Sequence, residues 1–417
     1  MKRLIVVGGG PAGMMAAIRA AEGGVDVTLL DRNEKLGKKL YITGKGRCNL
    51  TNNCDRADFF AHIPHNARFL YSAYAALPPQ SLMAYVESLG VPLVTERGNR
   101  VFPASQKSND ILRALERAVR RAGVTVRLGA RVQAITQDEG GVNGVTLADG
   151  ERLAADWVIL ALGGASYPAT GSTGDGYALA RALGHAVLPP QPSLTPMETE
   201  EDWCRALQGL ALKNVRLTVK VGKKVRLDEI GEVLFTHFGV SGPLILKLSS
   251  LVSADEAPGM RLSLDLKPGL TPEQLDARLL RDFAGFSNRQ LGNALSQALP
   301  HRMVGAVLGE AGLDPETPVH QLTQAGRRAL GGAIKGMGMT IRRYRGMEEA
   351  VVTRGGVSVK EVDPKSMASK VAPRLSIAGE LLDVDGMTGG YNLQIAFSTG
   401  WCAGTAAAEA LCAAAGE

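Results

Sequence analysis

The sequence predicts an α/β protein whose parallel sheet is interrupted by an inserted domain. Three observations carry that expectation. The first thirty residues spell strand, glycine-rich turn, helix and strand; "LPPQPSLTP" packs four prolines into nine residues near position 190; and from Leu375 the chain returns to a buried strand, a glycine-rich loop and a helix. Strands alternating with helical patterns give a helix-covered parallel sheet, and a proline cluster marks an exit from regular structure.

Lys2 to Val7 reads as a buried parallel strand, Pro11 to Glu22 as a helix and Val25 to Leu30 as a second strand. The turn between them holds Gly8, Gly10 and Gly13 in the G-x-G-x-x-G spacing. Gly8 allows the tight turn, Gly10 lets backbone approach a diphosphate, and Gly13 permits close helix packing. The helix opening at Pro11 and Ala12 presents free N–H groups and positive partial charge to an anion. Asp31 ends the second strand, placed to accept hydrogen bonds from ribose hydroxyls, with Arg32 next to it. The unit implies a bound dinucleotide.

The stretch from Arg32 to about Pro64 is rich in Lys, Gly and Asn and has little periodicity, so an extended loop over a ligand is expected. Asn109 to Ala122 is an amphipathic helix with Ile111, Leu112, Leu115 and Val119 on one face, and Val124 to Leu128 supplies the third parallel strand. Strand-like runs follow at Val132 to Thr136, Val142 to Leu147 and Trp157 to Ala161, the first two joined by a turn at Glu139-Gly140-Gly141. Beyond the prolines come strands around Val215 to Val219 and Arg261 to Asp265, then helices from about Pro272 to Gln297, Arg302 to Ala311 and Gln324 to Lys335. The expected division is 1–191 for the first part of the leading domain, 192–352 for an insert with helices near 270–340, and 353–417 for the return.

A chain of 417 residues exceeds one compact core. Apolar content of 45% with 21% charged residues excludes global disorder. Fifty glycines with only 5% aromatics suit a protein whose backbone must approach a ligand closely. The apolar run Leu4 to Val7 is too short for a signal-peptide core and no window of 18 apolar residues exists, so neither a leader nor a spanning helix is expected. Cys48, Cys54, Cys204, Cys402 and Cys412 are an odd, scattered set; they read as reduced thiols of a cytoplasmic protein, with no metal site. A net charge of +6 and a pI near 9.0 admit a polyanionic partner. The Lys and Arg residues are spread along the chain, however, so a basic surface around an anionic cofactor is the plainer reading and nucleic acid the lesser one.

The glycine turn alone fits FAD or NAD. "VILALGGASYPATGSTGDGYALARALG" puts a strand ending in Ala161-Leu162-Gly163-Gly164 ahead of Gly174-Asp175-Gly176, and "LSIAGELLDVDGMTGGYNLQIAFSTG" carries an acid after a Gly-Glu strand end and then a helix. These resemble the second and the C-terminal flavin regions of fumarate-reductase-like and glutathione-reductase-like FAD proteins. With "GKKLYITGKGRCNLTN" and "FTHFGVSGP", the sequence resembles along nearly its whole length the BaiN/RdsA family of bacterial NAD(P)/FAD-dependent oxidoreductases, also called aminoacetone-oxidase-like or YhiN-like. The resemblance implies a Rossmann-type FAD domain interrupted by a β-barrel with helices, and FAD held non-covalently. It implies that Arg47, Cys48 and Asn49 lie near the flavin, as do Gly379, Glu380, Asp383 and Gly389 through Gln394, with Gly390, Tyr391, Asn392 and Leu393 among them. Lys38, Lys39, Gly46, Val132, Ala161, Leu162, Gly163, Gly164 and Asp175 complete the expected cofactor set. Independently of the resemblance, a helix starting near Asn392 would aim N–H groups at the charge that reduction places on the flavin N1–C2=O edge, Gly389-Gly390 allowing the approach. A glycine turn before a buried helix accounts for the same pattern.

Catalytic residues are not assigned by the sequence. His237, among glycines in "FTHFGVSGP", could reach a substrate, although a structural histidine is the better reading. Tyr167 and Tyr391 could donate a proton or simply pack. Cys48 and Cys54 approach the spacing of disulfide-reducing flavoenzymes, but "CNLTNNC" is an Asn-rich loop rather than a helix start, and Cys48 reads as a small residue packed by the flavin. Lys38, Lys39, Lys45 and Arg47 form a basic loop that would neutralise cofactor or substrate charge, or stand solvated.

The expected activity is FAD-dependent oxidoreduction, hydride passing from NAD(P)H to flavin and on to an activated alkene or other small organic acceptor. No second dinucleotide-binding unit is visible, so either NAD(P)H docks transiently at the flavin face or the reductant is something else. A flavin-dependent RNA-modifying enzyme is the alternative, weakened by the lack of a basic cluster with stacking aromatics; a non-catalytic flavin protein is a third. A small-molecule partner and no membrane association are expected.

Overall fold

The computed structural model of the chain describes residues 2–414. The chain divides into two units: Met1–Ser193 with Met347–Glu417, and Leu194–Gly346.

The first unit is built on a five-stranded parallel sheet of β1 (Arg3–Val7), β2 (Asp26–Leu30), β3 (Thr125–Arg127), β4 (Trp157–Leu160) and β5 (Leu375–Ile377), ordered β5-β4-β1-β2-β3. Leu4, Val6, Leu29, Leu30, Val158, Ile159 and Leu160 are fully buried, as strands covered on both faces require. β1 pairs with β2 on one side and β4 on the other, so the strand order reverses there and the loops leaving the carboxyl ends part around a crevice.

Helix α1 (Pro11–Glu22) follows β1, and helix α4 (Tyr391–Ala413) follows β5. They pack backbone to backbone through small residues. A Cβ on Gly400 would fall 2.2 Å from the Ala12 carbonyl oxygen, and one on Gly404 2.2 Å from that of Ala16. No side chain fits there, and the close approach brings both helix N-termini to one end of the sheet.

The region expected as loop, Arg32 to Pro64, contains helix α2 (Lys38–Gly46), a two-residue strand at Thr51–Asn52 and a helix at Arg56–Ala61. Its polar, glycine-rich sequence conceals α2 because Leu40 is that helix's one buried residue and the helical path is broken at Thr43, Gly44 and Lys45. A helix at Pro79–Ser88 and a strand pair, Leu93–Glu96 with Arg100–Pro103, follow. Helix α3 (Ser108–Arg121) and the antiparallel strands Val132–Asp138 and Gly141–Leu147 come next. The proline-rich segment is itself a strand, Val187–Ser193, antiparallel to Val352–Val357; Pro189, Pro190 and Pro192 are tolerated on a two-stranded ribbon with a register shift between Leu188 and Gln191.

The second unit is a closed six-stranded antiparallel barrel, in order Met197–Thr199, Gly239–Ser241, Lys224–Thr236, Ala211–Val221, Arg261–Asp265 and Met337–Tyr344. Its helices include Pro272–Ala284, His301–Glu310 and Gln324–Lys335. The expected single helix to Gln297 stops at Ala284, and a separate short helix occupies Leu291–Leu295. No helix of the described residues is long and apolar enough to cross a membrane.

Candidate active site

The glycine turn separates into two kinds of constraint. Gly8, at φ +108°, lies against the loop after β4, where a Cβ would fall 2.4 Å from the Ala161 oxygen, and a Cβ on Gly13 would fall 1.8 Å from the Gly8 oxygen. Protein excludes side chains at both. Among the described residues nothing lies within 4 Å of a Cβ built on Gly10, so the space in front of α1 is open to a ligand. Gly10 provides no side-chain cap and the first turn, Pro11 onward, holds no acid, leaving the N–H groups of Ala12 and Gly13 for an anion. The residues present therefore fit a bound diphosphate.

Asp31 is 8% exposed and braces the turn: its Oδ2 accepts from the Gly9 N–H and its Oδ1 from the Asn33 N–H, both at 2.7 Å. Each oxygen retains a further lone pair for a ribose hydroxyl. Arg32 is held by Thr173 Oγ1 (2.8 Å) and Asp175 (3.1 Å), and Asp175 also binds Arg131 (3.0 Å), next to the buried Val132.

Behind Gly163 and Gly164 sits a charged cluster that joins α2, the loop after β4 and the segment after β5. Lys39 Nζ donates to Glu380 Oε1 and Oε2 (2.9 and 2.7 Å) and to Ser166 Oγ (2.6 Å). Glu380 Oε1 also accepts from the Thr353 N–H, and Thr353 Oγ1 accepts from the Ala165 and Ser166 N–H groups. A Cβ on Gly164 would fall 2.4 Å from Thr353 Oγ1 and one on Gly379 2.8 Å from Ala12 Cβ, so these glycines let the layers meet. Leu162 packs against the main core. Lys38 points elsewhere, to Glu34 at 2.8 Å.

After α2 the chain turns tightly: Gly46 has φ +81° and Cys48 φ +58°. Arg47 is directed to Glu96 and Gln106 with its guanidinium 4.0 Å over the Phe102 ring. Cys48 is fully buried and burial pushes its thiol up to about 12; Cys54, also buried and free, is pushed up to about 11. Asn49, with its amide assigned by its neighbours, donates to the Thr51 and Val101 oxygens and accepts from the Gly390 N–H at 3.1 Å.

Gly390, at φ +103°, lies where a Cβ would fall 2.4 Å from Thr51 backbone, and α4 starts at Tyr391 with neither a side-chain cap nor an acid in its first turn. The side chains of this turn face inward. Asn392 clasps Gly386, donating to its oxygen (2.6 Å) and accepting from its N–H (2.8 Å). Gln394, fully buried, accepts from Thr51 Oγ1 and donates to the Leu77 oxygen and Ser398 Oγ. Leu393 is half-buried. What α4 offers a ligand is its backbone N–H groups. Asp383 is half-buried, raised by that burial, and accepts from Asn66 Nδ2 at 2.9 Å.

The three catalytic candidates separate. Tyr391 is 3% exposed, stacked on His62 with centroids 4.6 Å apart, beside the Cys54 thiol, and burial raises its hydroxyl. Tyr167 is half-buried at φ +52°, next to Ser166 of the charged cluster. His237 belongs to the second unit, exposed in the turn before Gly239–Ser241 and edge-on to Phe238. The sequence reading passed over Ser166, Thr353, Asn66, His65 and Asp385. The signal for the last was an acid inside the buried run Leu381 to Met387.

Residues 2–406 match the HI0933-like protein Rossmann domain. The chain belongs to that family. Its family is one of FAD-dependent oxidoreductases, and the site above fits FAD. The chain is 33% identical over 414 residues to the 3-dehydro-bile acid delta(4,6)-reductase of Clostridium scindens, covering 98% of this chain and 100% of that one. It is 31% identical over 401 residues to the ribosomal RNA dihydrouridine synthase of Escherichia coli, covering 95% and 96%. Among solved structures, a 3-ketosteroid delta1-dehydrogenase of Sterolibacterium denitrificans aligns with TM-score 0.54 and 14% identity, over 98% of this chain and 100% of that one. The quinol fumarate reductase FrdA of E. coli aligns with TM-score 0.52 and 18% identity, over 99% and 72%. These structural likenesses establish the fold shared by the HI0933-like chain.

Proposed function

We propose that the chain adds two hydrogens across a carbon–carbon double bond conjugated to a carbonyl, in a small molecule, with NAD(P)H as the source of hydride. The observation that carries this reading is the crevice itself: the open space before Gly10 and the uncapped start of α4 lie at one end of the same sheet. Two full-length relatives support the chemistry, since a delta(4,6)-reductase of a 3-dehydro-bile acid and a dihydrouridine synthase are both named for a double bond that gains two hydrogens.

FAD, when bound, supplies the hydride transfer. The chain's own residues do the rest. Backbone N–H groups of Ala12 and Gly13 would hold the diphosphate, Asp31 would take a ribose hydroxyl, and the first N–H groups of α4 would offset negative charge at the ring edge. Lys39 and Glu380 fix the loops between. NAD(P)H docks transiently, for want of a second glycine fingerprint in the sequence.

The test is anaerobic mixing with NADH or NADPH, which bleaches the oxidised-flavin absorbance, followed by a 3-keto-4-ene steroid or cyclohex-2-enone, which restores it. Absence of both changes overturns the reading. A second reading, dihydrouridine formation in RNA, draws on the 31% identity to the E. coli enzyme and the +6 net charge. Dihydrouridine appearing in ribosomal RNA, with retention that falls steeply with salt, would favour it.

A further inference from the structure

The histidines of the chain differ in what their rings touch. His185 has both nitrogens engaged, by Glu361 at 3.2 Å and Ser369 Oγ at 2.8 Å, in a fully buried position. His62 and His320 bond backbone oxygens, and His237 and His301 are exposed. His65 is built differently. Its Nδ1 lies 2.9 Å from Asp385 Oδ1, and Asp385 is only 2% exposed, its other oxygen accepting from Ser193 Oγ at 3.0 Å. The His65 side chain keeps 24% of its surface, and among the described residues no hydrogen bond engages its Nε2.

The surroundings tie this pair to the flavin end of the site. The Met387 N–H donates to the His62 oxygen at 2.9 Å, and Asn66 Nδ2 grips Asp383, so the turn carrying His65 is stitched along the 383–387 loop. Gly386, next to Asp385, is clasped by Asn392 in the first turn of α4. His65 thus stands at the loop leading into the helix whose N–H groups would face the flavin ring.

We propose that His65 is the proton donor of the reaction and Asp385 its positioning residue. This rests on the double-bond reduction proposed above. A carboxylate on Nδ1 fixes the ring's orientation and tautomer and turns Nε2 outward. Hydride adds to the β-carbon, the double-bond electron pair moves to the α-carbon and its carbonyl, and the α-carbon takes the Nε2 proton. His65 is left neutral and regains a proton from water through its exposed edge. The charged groups around the ring are Asp385, in contact with its Nδ1, and Asp383, whose carboxyl both His65 and Arg354 act to lower.

The experiment uses FAD-loaded protein, His65→Gln, His65→Ala and Asp385→Asn. With NAD(P)H as reductant and cyclohex-2-enone as oxidant, the two half-reactions are timed separately. The expected result is bleaching at the wild-type rate, re-oxidation by the enone slowed on the order of 100-fold or more in both His65 variants, and partial rescue of His65→Ala by added imidazole. In Asp385→Asn, an NMR titration of the His65 ring shows its proton lost at lower pH than in wild type, and the pH at which re-oxidation fails moves with it. Wild-type turnover retained in His65→Gln, or a ring titration unmoved by Asp385→Asn, overturns the inference alone. A wild-type protein that reduces no enone removes the proposed function and this inference together. Should Asp385→Asn lose FAD, the ring titration alone decides it, and of the two His65 variants the one that retains FAD is the one timed.

Discussion

Lys39 reaches both carboxylate oxygens of Glu380, at 2.9 and 2.7 Å, across 341 residues of chain. Each side chain is 21% exposed, so water screens the pair only in part. Removing the ammonium leaves Glu380 with Ser166 Oγ and the Thr353 N–H as its remaining donors. Lys39→Met should lower the stability of the apoprotein by about 1.5–3 kcal/mol and weaken FAD binding. Adding Glu380→Gln should restore part of the stability. Thermal unfolding of the apoproteins and FAD titration check this; equal melting temperatures for wild type and Lys39→Met would show the pair to be ornamental.

Two glycines of one motif should fail in opposite ways. Gly10 sits at φ −78° with open space around its Cβ position, so Gly10→Ala should fold normally and lose most of its flavin, the methyl occupying the diphosphate's place. Gly13→Ala forces a carbon to within 1.8 Å of the Gly8 oxygen, and should cost about 3 kcal/mol or more in folding. Circular dichroism melts beside absorbance at the flavin bands distinguish the two. A yellow Gly10→Ala protein would contradict the assignment of the diphosphate.

The thiols should be silent. Burial holds Cys48 and Cys204 at about 12 and Cys54 and Cys402 at about 11, so at pH 8 about one in a thousand or fewer is ionised. Cys412 is the exposed one. A thiol-specific chromogenic reagent should therefore titrate one group in the native protein and five after denaturation. Cys48→Ala should retain flavin and turnover; its complete inactivation would revive a redox role.

Glu198 makes the barrel unit acid-sensitive. It accepts from Arg343 Nε (2.8 Å) and Nη2 (2.9 Å) and from Arg345 Nη1 (2.6 Å), and the Arg343 bonds chiefly hold its carboxyl below the ordinary 4.5. A depressed folded value means the stabilisation is full above 4.5 and is lost as pH falls through the folded value. Arg343 is 67% exposed, which limits the contribution to about 1 kcal/mol. Glu198→Gln should melt earlier than wild type at pH 7, the gap narrowing as pH drops below 4.5. A gap unchanged between pH 7 and pH 3 would sink this account.

Local pattern carried the parallel unit. β1, α1 and β2 announce themselves because four apolar residues, spaced glycines and a second apolar run are all local signals, and Arg261–Asp265 and Gln324–Lys335 were legible for the same reason. α2 was not, since tertiary contact through Leu40 rather than periodicity supports it. The long strand Lys224–Thr236 was hidden too: Asp228, Glu229, Gly231 and Glu232 interrupt its alternation, and barrel closure supplies the order that the local signal lacks. At the site, glycines were readable as glycines, but the partners of charged residues were not. Arg47 looked available until Glu96 and Gln106 took it, and His65 meets Asp385 only because the fold joins positions 320 residues apart.

The late arrival of β5 has a price for biosynthesis. β4 emerges from the ribosome with Val158, Ile159 and Leu160 unpaired along one edge, and its partner at Leu375–Ile377 is made only after the whole barrel unit. Throughout that interval the nascent first unit carries an apolar strand edge open to other chains, and α1 lacks the helix that covers it. Flavin capture must therefore wait for the last stretch of translation, and premature stops anywhere before Tyr391 should release colourless, aggregation-prone polypeptide.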